Sequence, residues 1–302
     1  MDIKFYFRIF KGVDDLSERD INSIALLDSG VGGLTVASEL IKLMPEKHYI
    51  YYGDTVHLPY GVREIEEVKD FAHKIINFLM KDKNADIVVL ACNTASSAIF
   101  PEVKNDFDIP IFGTINSTTR KAYSLTENNK VAIIATEATI NSGSYQQSLY
   151  KFNSNLDIYT KACPKFVDFV EKGELSGKKV YNYAKKCLLP LKNADIDTLI
   201  LGCTHFPYLK DVIKDIIGEK VSLVDPAVEM AYAIKDRVYK NEDESNVKLN
   251  NMGSEELKEI INKENNKVDF MVSDINNISD LLWNNNLLSD ISISASEVNI
   301  FI

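Results

Sequence analysis

Short apolar, β-branched runs alternate along this chain with longer stretches in which apolar residues recur every three or four positions. Short runs bounded by turn formers fit strands buried on both faces, and the longer stretches fit amphipathic helices. The pattern predicts strands at residues 24–27, 49–52, 87–91, 109–113, 131–135, 156–160, 198–201 and 221–224. Between them, Ile65, Val68, Ala72, Ile75 and Leu79 share one helical face, as do Val180, Tyr183, Ala184, Cys187, Leu188 and Leu191. Leu34, Ala37, Leu40, Ile41 and Met44 form a third such face. Strands this apolar, separated by helices, belong in a parallel sheet covered on both sides, so the expected fold class is α/β.

The strands also repeat. Residues 24–27 align with 132–135 and residues 50–52 with 158–160, both at an offset of 108. Residues 87–92 align with 198–203 at 111, and 111–112 with 223–224 at 112. Two similar, pseudo-symmetric α/β lobes follow, with residues 1–114 plus 225–302 in the first and 115–224 in the second. Both third strands run into a cysteine, in Ala91-Cys92-Asn93-Thr94 and Gly202-Cys203-Thr204-His205. Ligands of open parallel sheets bind beyond the carboxyl ends of the strands, so the two cysteines are expected in one cleft between the lobes. From Asn241 onward the chain holds 13 Asn in 62 residues, a shift that marks a peripheral region. Residues 270–274 still read as a strand, followed by a short helix through Leu281, Leu282 and Trp283.

Composition narrows the function. A length of 302 residues is about twice that of a typical domain, which accords with two units. With 34 Lys and Arg against 44 Asp and Glu, the formal net charge is −10. Such a chain lacks the basic footprint that nucleic acid or an anionic membrane requires, and neither is expected as a partner. No apolar run approaches the roughly 18 residues that span a bilayer. Lys4 and Arg8 interrupt the first ten residues, which therefore do not read as a secretory signal; the expected location is the cytoplasm. Four cysteines without paired spacing suggest neither a disulfide scaffold nor a zinc site.

Asp28-Ser29-Gly30-Val31-Gly32-Gly33-Leu34 follows the first strand and opens a helix, where free backbone N–H groups suit an anion. Its glycines do not match the dinucleotide fingerprint, and no P-loop is present. Asp28 has a plain reading as a helix cap. Cys163, before a proline, and Cys187, on a helical face, read as structural. Cys92 and Cys203 differ because hydrogen-bonding residues follow each. Two thiols on opposite sides of a carbon can take a proton from one face and return another to the opposite face, inverting the centre. A helper must keep one thiol ionised, since free cysteine has a pKa near 8.5; Asp28 and His205 are available. His48, His57 and His73 read as solvated or structural.

Asp28-Ser29-Gly30-Val31-Gly32-Gly33-Leu34-Thr35-Val36, Gly53-Asp54-Thr55 with Pro59-Tyr60-Gly61, Ala91-Cys92-Asn93-Thr94-Ala95-Ser96 and Gly202-Cys203-Thr204-His205-Phe206-Pro207 strongly resemble the glutamate racemases of the aspartate/glutamate racemase superfamily. The resemblance runs from about Ile24 to Val238 and more weakly around 270–282. It implies that Cys92 and Cys203 are the two acid/base residues. Asp28 would assist Cys92, which faces the D enantiomer, and His205 would assist Cys203, which faces the L enantiomer. Ser29, Tyr60, Gly61, Asn93, Thr94 and Thr204 would hold the amino acid together with Asp28 and His205. Thr139 is similar to a further substrate-contact position and Glu171 to an active-site position.

The same resemblance implies interconversion of L- and D-glutamate without metal or pyridoxal phosphate, supply of D-glutamate to peptidoglycan, and a homodimer. The chain departs from the family where a Glu-Pro-Gly type segment normally follows the fourth strand; here it reads Thr114-Ile115-Asn116-Ser117-Thr118. Its first twenty or so residues precede the usual start of the family. Three other readings share some features: an aspartate racemase using the same cysteines, a hydrolase with Cys203 and His205 as nucleophile and base, and a two-lobed amino-acid-binding protein. The hydrolase leaves Cys92 without a role, and the binding protein needs neither thiol.

Overall fold

Every strand the pattern predicts forms within about two residues of its expected position. These are β1 (Ser23–Asp28), β2 (His48–Gly53), β3 (Ile87–Leu90), β4 (Ile111–Gly113), β5 (Lys130–Ala135), β6 (Asp157–Ala162), β7 (Thr198–Gly202), β8 (Ser222–Val224) and β9 (Val268–Val272). The computed structural model describes residues 20–99, 106–239, 268–277 and 293–301. The helix expected through Leu281 to Trp283 lies outside the described residues. A tenth strand, β10 (Ile293–Glu297), has no counterpart in the sequence reading. Among the described residues it pairs with β9 alone, at the sheet edge, and its Ser-Ala-Ser centre carries little apolar signal.

The strands form two parallel sheets, ordered β10-β9-β2-β1-β3-β4 and β6-β5-β7-β8. Equating β5 with β1 makes β6-β5-β7-β8 the same order as β2-β1-β3-β4, so the repeat seen in the sequence is a repeat of topology. The copies differ in burial. β2 lies between β1 and β9 and is buried along most of its length, whereas β6 is an edge strand and largely exposed, which accounts for Asp157 and Lys161 in it. Tyr49, Tyr51 and Tyr52 of β2 are fully buried, and buried phenols need hydrogen-bond acceptors. Tyr49 donates to the carbonyls of Leu40 and Met44 at 2.9 and 2.8 Å, and Tyr51 to that of Gly30 at 2.9 Å.

Helices follow the strands: α1 (Leu34–Leu43), α2 (Ile65–Lys81), α3 (Asn93–Ile99), α4 (Thr114–Leu125), α5 (Glu137–Ser142), α6 (Ser144–Tyr150), α7 (Lys165–Glu171), α8 (Lys178–Asn193), α9 (Lys210–Ile217) and α10 (Pro226–Val238). In α2 the expected face is buried through Val68, Ala72, Ile75 and Leu79, and Glu66 and Glu67 sit in the first turn, where the helix dipole favours them. α8 buries Val180, Ala184, Cys187, Leu188 and Leu191. α10 begins where Asp225 accepts from the Ala227 amide at 2.9 Å and Pro226 fits the first turn. It packs on both α1 and α4 and so ties the helices of the first sheet to the start of the second unit. α4 starts at Thr114, directly after β4, so the segment that departs from the family pattern is a regular helix N-terminus. Among the described residues, no helix is long and apolar enough to cross a membrane.

Candidate active site

Cys92 lies between the end of β3 and the start of α3, and Cys203 follows the last residue of β7. β3 and β7 occupy equivalent places in the two sheets, and both thiols emerge at carboxyl ends. They are free, nearly buried, and line one cleft. Ser29, Tyr60, Gly61, Asn93, Thr94, Thr204 and His205, all expected from the sequence, share that lining. The cleft is narrow and partly open, with about 300 Å³ of empty space that includes open solvent. Leu58, Pro59, Thr136 and Val167 complete its wall and were not anticipated. Thr136 had a signal: it follows β5 as Asp28 ends β1, at the same offset of 108 that relates the strands.

The surroundings of the two thiols differ. On one side, Cys92 Sγ lies 3.9 Å from Ser29 Oγ. Burial, and then the nearby charge of Asp28, push its pKa up to about 12, so Cys92 is held as a thiol. Asp28 is wholly buried, and burial raises its pKa; the charge of His205 and the amides of Gly30 and Gly33 offset part of that rise. The Gly30 amide donates to Asp28 Oδ1 at 3.0 Å and the Thr204 hydroxyl to Oδ2 at 3.4 Å. Asp28 thus bridges the glycine turn of one sheet and the strand end of the other.

On the other side, Cys203 Sγ lies 3.7 Å from His205 Nδ1, and His205 Nε2 meets Glu171 Oε1 at the end of α7. Burial alone would lower the pKa of His205. The hydrogen bonds to Cys203 and Glu171, with the charge of Glu171, outweigh it and hold the pKa well above the ordinary imidazole value. The imidazole is thus placed to share a proton with the Cys203 sulfur. The resulting pair is asymmetric, with a neutral thiol beside an aspartate and a second sulfur beside an imidazolium.

The glycine turn owes its composition to close approach. A Cβ on Gly32 would stand 2.6 Å from both His205 Cε1 and Thr204 Oγ1, and one on Gly33 would stand 2.7 Å from Asp28 Cβ. The turn therefore makes room for the acid/base groups.

Not every expected contact faces the cleft. The Tyr60 hydroxyl is committed to Asp54 Oδ2 at 2.6 Å, leaving the ring and the backbone of Tyr60 and Gly61 to the wall. Asp54 also accepts from Ser273 at 3.0 Å and pairs with His57 Nδ1 at 2.9 Å. Thr139 is set behind Thr94 and Thr136, with hydroxyls 3.2 and 3.0 Å from theirs. His57 stacks on Phe71, His48 pairs with Asp269, and His73 lies against Phe107. Cys163 and Cys187 are neighbours in the core of the second unit, away from the cleft lining. Among the described residues, no group of three or more His, Cys, Asp or Glu side chains is arranged to hold a metal ion.

Residues 35–233 match the model of the family described as Asp/Glu/Hydantoin racemase. A glutamate racemase of a Thermoanaerobacter species is 44% identical over 74% of this chain and 83% of its own length. That of Bacillus cereus is 42% identical over 72% of this chain and 80% of its own. Among solved structures, a glutamate racemase from Bacillus anthracis superposes with a TM-score of 0.78 at 33% identity, covering 93% of this chain and 98% of that one. One from Francisella tularensis, in complex with D-glutamate, gives 0.77 at 30% identity, covering 93% and 99%. With two thirds of its length under the family model and relatives above 40% identity, the chain belongs to the Asp/Glu/Hydantoin racemase family.

Proposed function

We propose that this protein interconverts L- and D-glutamate by two-base proton transfer between Cys203 and Cys92. The observation that carries the reading is the pair of equivalent strand-end thiols lining one cleft in unlike electrostatic settings. With L-glutamate bound, the Cys203 thiolate takes the Cα proton and becomes a thiol. Cys92 delivers its own proton to the opposite face and becomes a thiolate. The electron pair left on Cα is spread meanwhile into the α-carboxylate, which hydrogen-bond donors stabilise. The backbone N–H groups at the strand ends can serve there, while Asn93 and Thr204 help hold the amino acid. His205, held by Glu171, assists Cys203, and Asp28 assists Cys92 when the reaction runs backwards. Ser29, Thr94, and the Tyr60 and Gly61 backbone would grip the rest of the amino acid, with Thr139 supporting Thr94 and Thr136.

In this reading the reaction needs neither pyridoxal phosphate nor metal, and the product D-glutamate serves peptidoglycan synthesis in the cytoplasm of a cell where the protein is a homodimer. The test is the circular dichroism of L- and D-glutamate incubated with purified protein and no additive. Decay of both signals to zero supports the reading; persistence of both overturns it. Aspartate, one methylene shorter, would leave distal donors unpaired at about 1–3 kcal/mol each, so kcat/KM should favour glutamate by about tenfold or more. Equal values, or a preference for aspartate, would reassign the substrate and leave the two-thiol chemistry standing.

A further inference from the structure

Behind Asn93 lies a buried hydroxyl cluster that the chemistry above does not use. Tyr145 on α6 is 1% exposed and donates its hydroxyl to Asn93 Oδ1 at 2.6 Å. Thr114 and Thr118, one turn apart at the start of α4, lie near the same phenol, but the Thr118 hydroxyl donates to the Thr114 carbonyl at 2.6 Å and the Thr114 hydroxyl has no partner among the described residues. A carboxamide offers one acceptor oxygen and one donor NH₂ group. With Oδ1 taken, the remaining group is Nδ2, which is buried and has no partner in the protein. Asn93 itself is 2% exposed and lines the cleft beside Cys92. A buried donor without an acceptor is costly, and a site that keeps one supplies the acceptor with its ligand.

We propose that Tyr145 is a positioning residue that fixes the Asn93 carboxamide with Nδ2 toward a carboxylate of the bound amino acid. Turned the other way, Asn93 would present Oδ1 to that carboxylate, oxygen against oxygen. The proposal rests on glutamate as substrate.

Tyr145→Phe removes only the hydroxyl. Its KM should rise about tenfold for both enantiomers while kcat changes by less than about threefold, because the orientation serves binding before proton transfer. In the Asn93→Ala background the same substitution should add nothing, since the two act as one unit. Thr119→Val breaks a 2.7 Å hydroxyl pair with Ser148 between the same two helices, away from the cleft lining. It should lower Tm and leave KM unchanged, separating positioning from stability. An unchanged KM in Tyr145→Phe, or a rise just as large in the Asn93→Ala background, overturns the proposal. Should Tyr145→Phe fail to fold, Asn93→Asp takes its place: it keeps the acceptor for Tyr145 but puts an oxygen where Nδ2 stood, so KM up about tenfold supports the orientation and an unchanged value overturns it. A wild-type protein inactive on glutamate overturns the substrate and the proposal with it, whereas an active wild type with unmoved variants overturns the proposal alone.

Discussion

Glu171→Gln removes one charge and no volume from the line Glu171–His205–Cys203. The His205 side chain is 3% exposed and that of Glu171 17%, so the imidazolium has little water to replace the lost carboxylate. A hydrogen bond to a charged partner is worth about 1.5–3 kcal/mol net. The partial exposure of Glu171 favours the lower part of that range, about 1.5–2 kcal/mol, or a fall of about 10- to 30-fold in kcat. KM should stay within about twofold, because Glu171 is not in the cleft lining. The pH dependence carries a sign. The folded-state pKa of His205 stands above its ordinary value of 6.5. Its pairing therefore stabilises the fold fully below about pH 6.5, and that contribution is lost as pH rises through the folded value. The variant should thus melt below wild type at about pH 6 and converge on it in alkali. The alkaline limb of kcat for L-glutamate should move to lower pH. The assay is polarimetric kinetics in both directions across pH, with melting curves on the same samples. An unchanged kcat together with an unmoved alkaline limb would refute the role given to Glu171.

Cys92→Ala and Cys203→Ala should each abolish racemisation, by at least about 10⁴-fold, with melting curves showing an intact fold; near-wild-type activity in either would remove that thiol from the mechanism. Asp28→Asn should lower kcat by about 10²-fold or more, measured in both directions. It should also raise Tm at neutral pH: burial lifts the Asp28 pKa, so ionising it costs stability as pH rises through the folded value, and the amide is spared that cost. No Tm gain at neutral pH would refute that cost. Gly32→Ala places a methyl 2.6 Å from the His205 ring and Thr204 hydroxyl, and should displace His205 and cut kcat more than it lowers Tm; wild-type kcat would show that the ring can move aside.

The parallel strands were legible because each is an apolar run buried on both faces, and the repeat because both copies preserve strand order and a terminal cysteine. α10 was not, since its burial is set by contact with α1 and α4 rather than by a strong apolar stripe of its own. β10 was missed for lack of apolar signal. In the site, the motifs pointed to Cys92, Cys203, Asp28 and His205, but not to how they are charged. That asymmetry comes from neighbours distant in sequence: Glu171 reaches His205 across 34 residues and Thr204 reaches Asp28 across 176. At Tyr60 and Thr139 the motifs did not reveal how the side chain is used. Motif membership suggested direct contact, whereas the Tyr60 hydroxyl turns to Asp54 and Thr139 stands behind Thr94. Thr136 could have been found from the repeat alone.

The central claim is that one thiol works each face of the α-carbon. It is tested most directly by converting L-glutamate in deuterated water and stopping the reaction early, then measuring deuterium at Cα separately in the recovered substrate and in the new enantiomer. Two thiols predict solvent deuterium in the product, since Cys92 carries a solvent-derived hydron, and none in the recovered L-glutamate. Retention of the substrate's own hydrogen in the product, or deuterium appearing equally in both enantiomers from the start, would mean that one base serves both faces and would contradict the account.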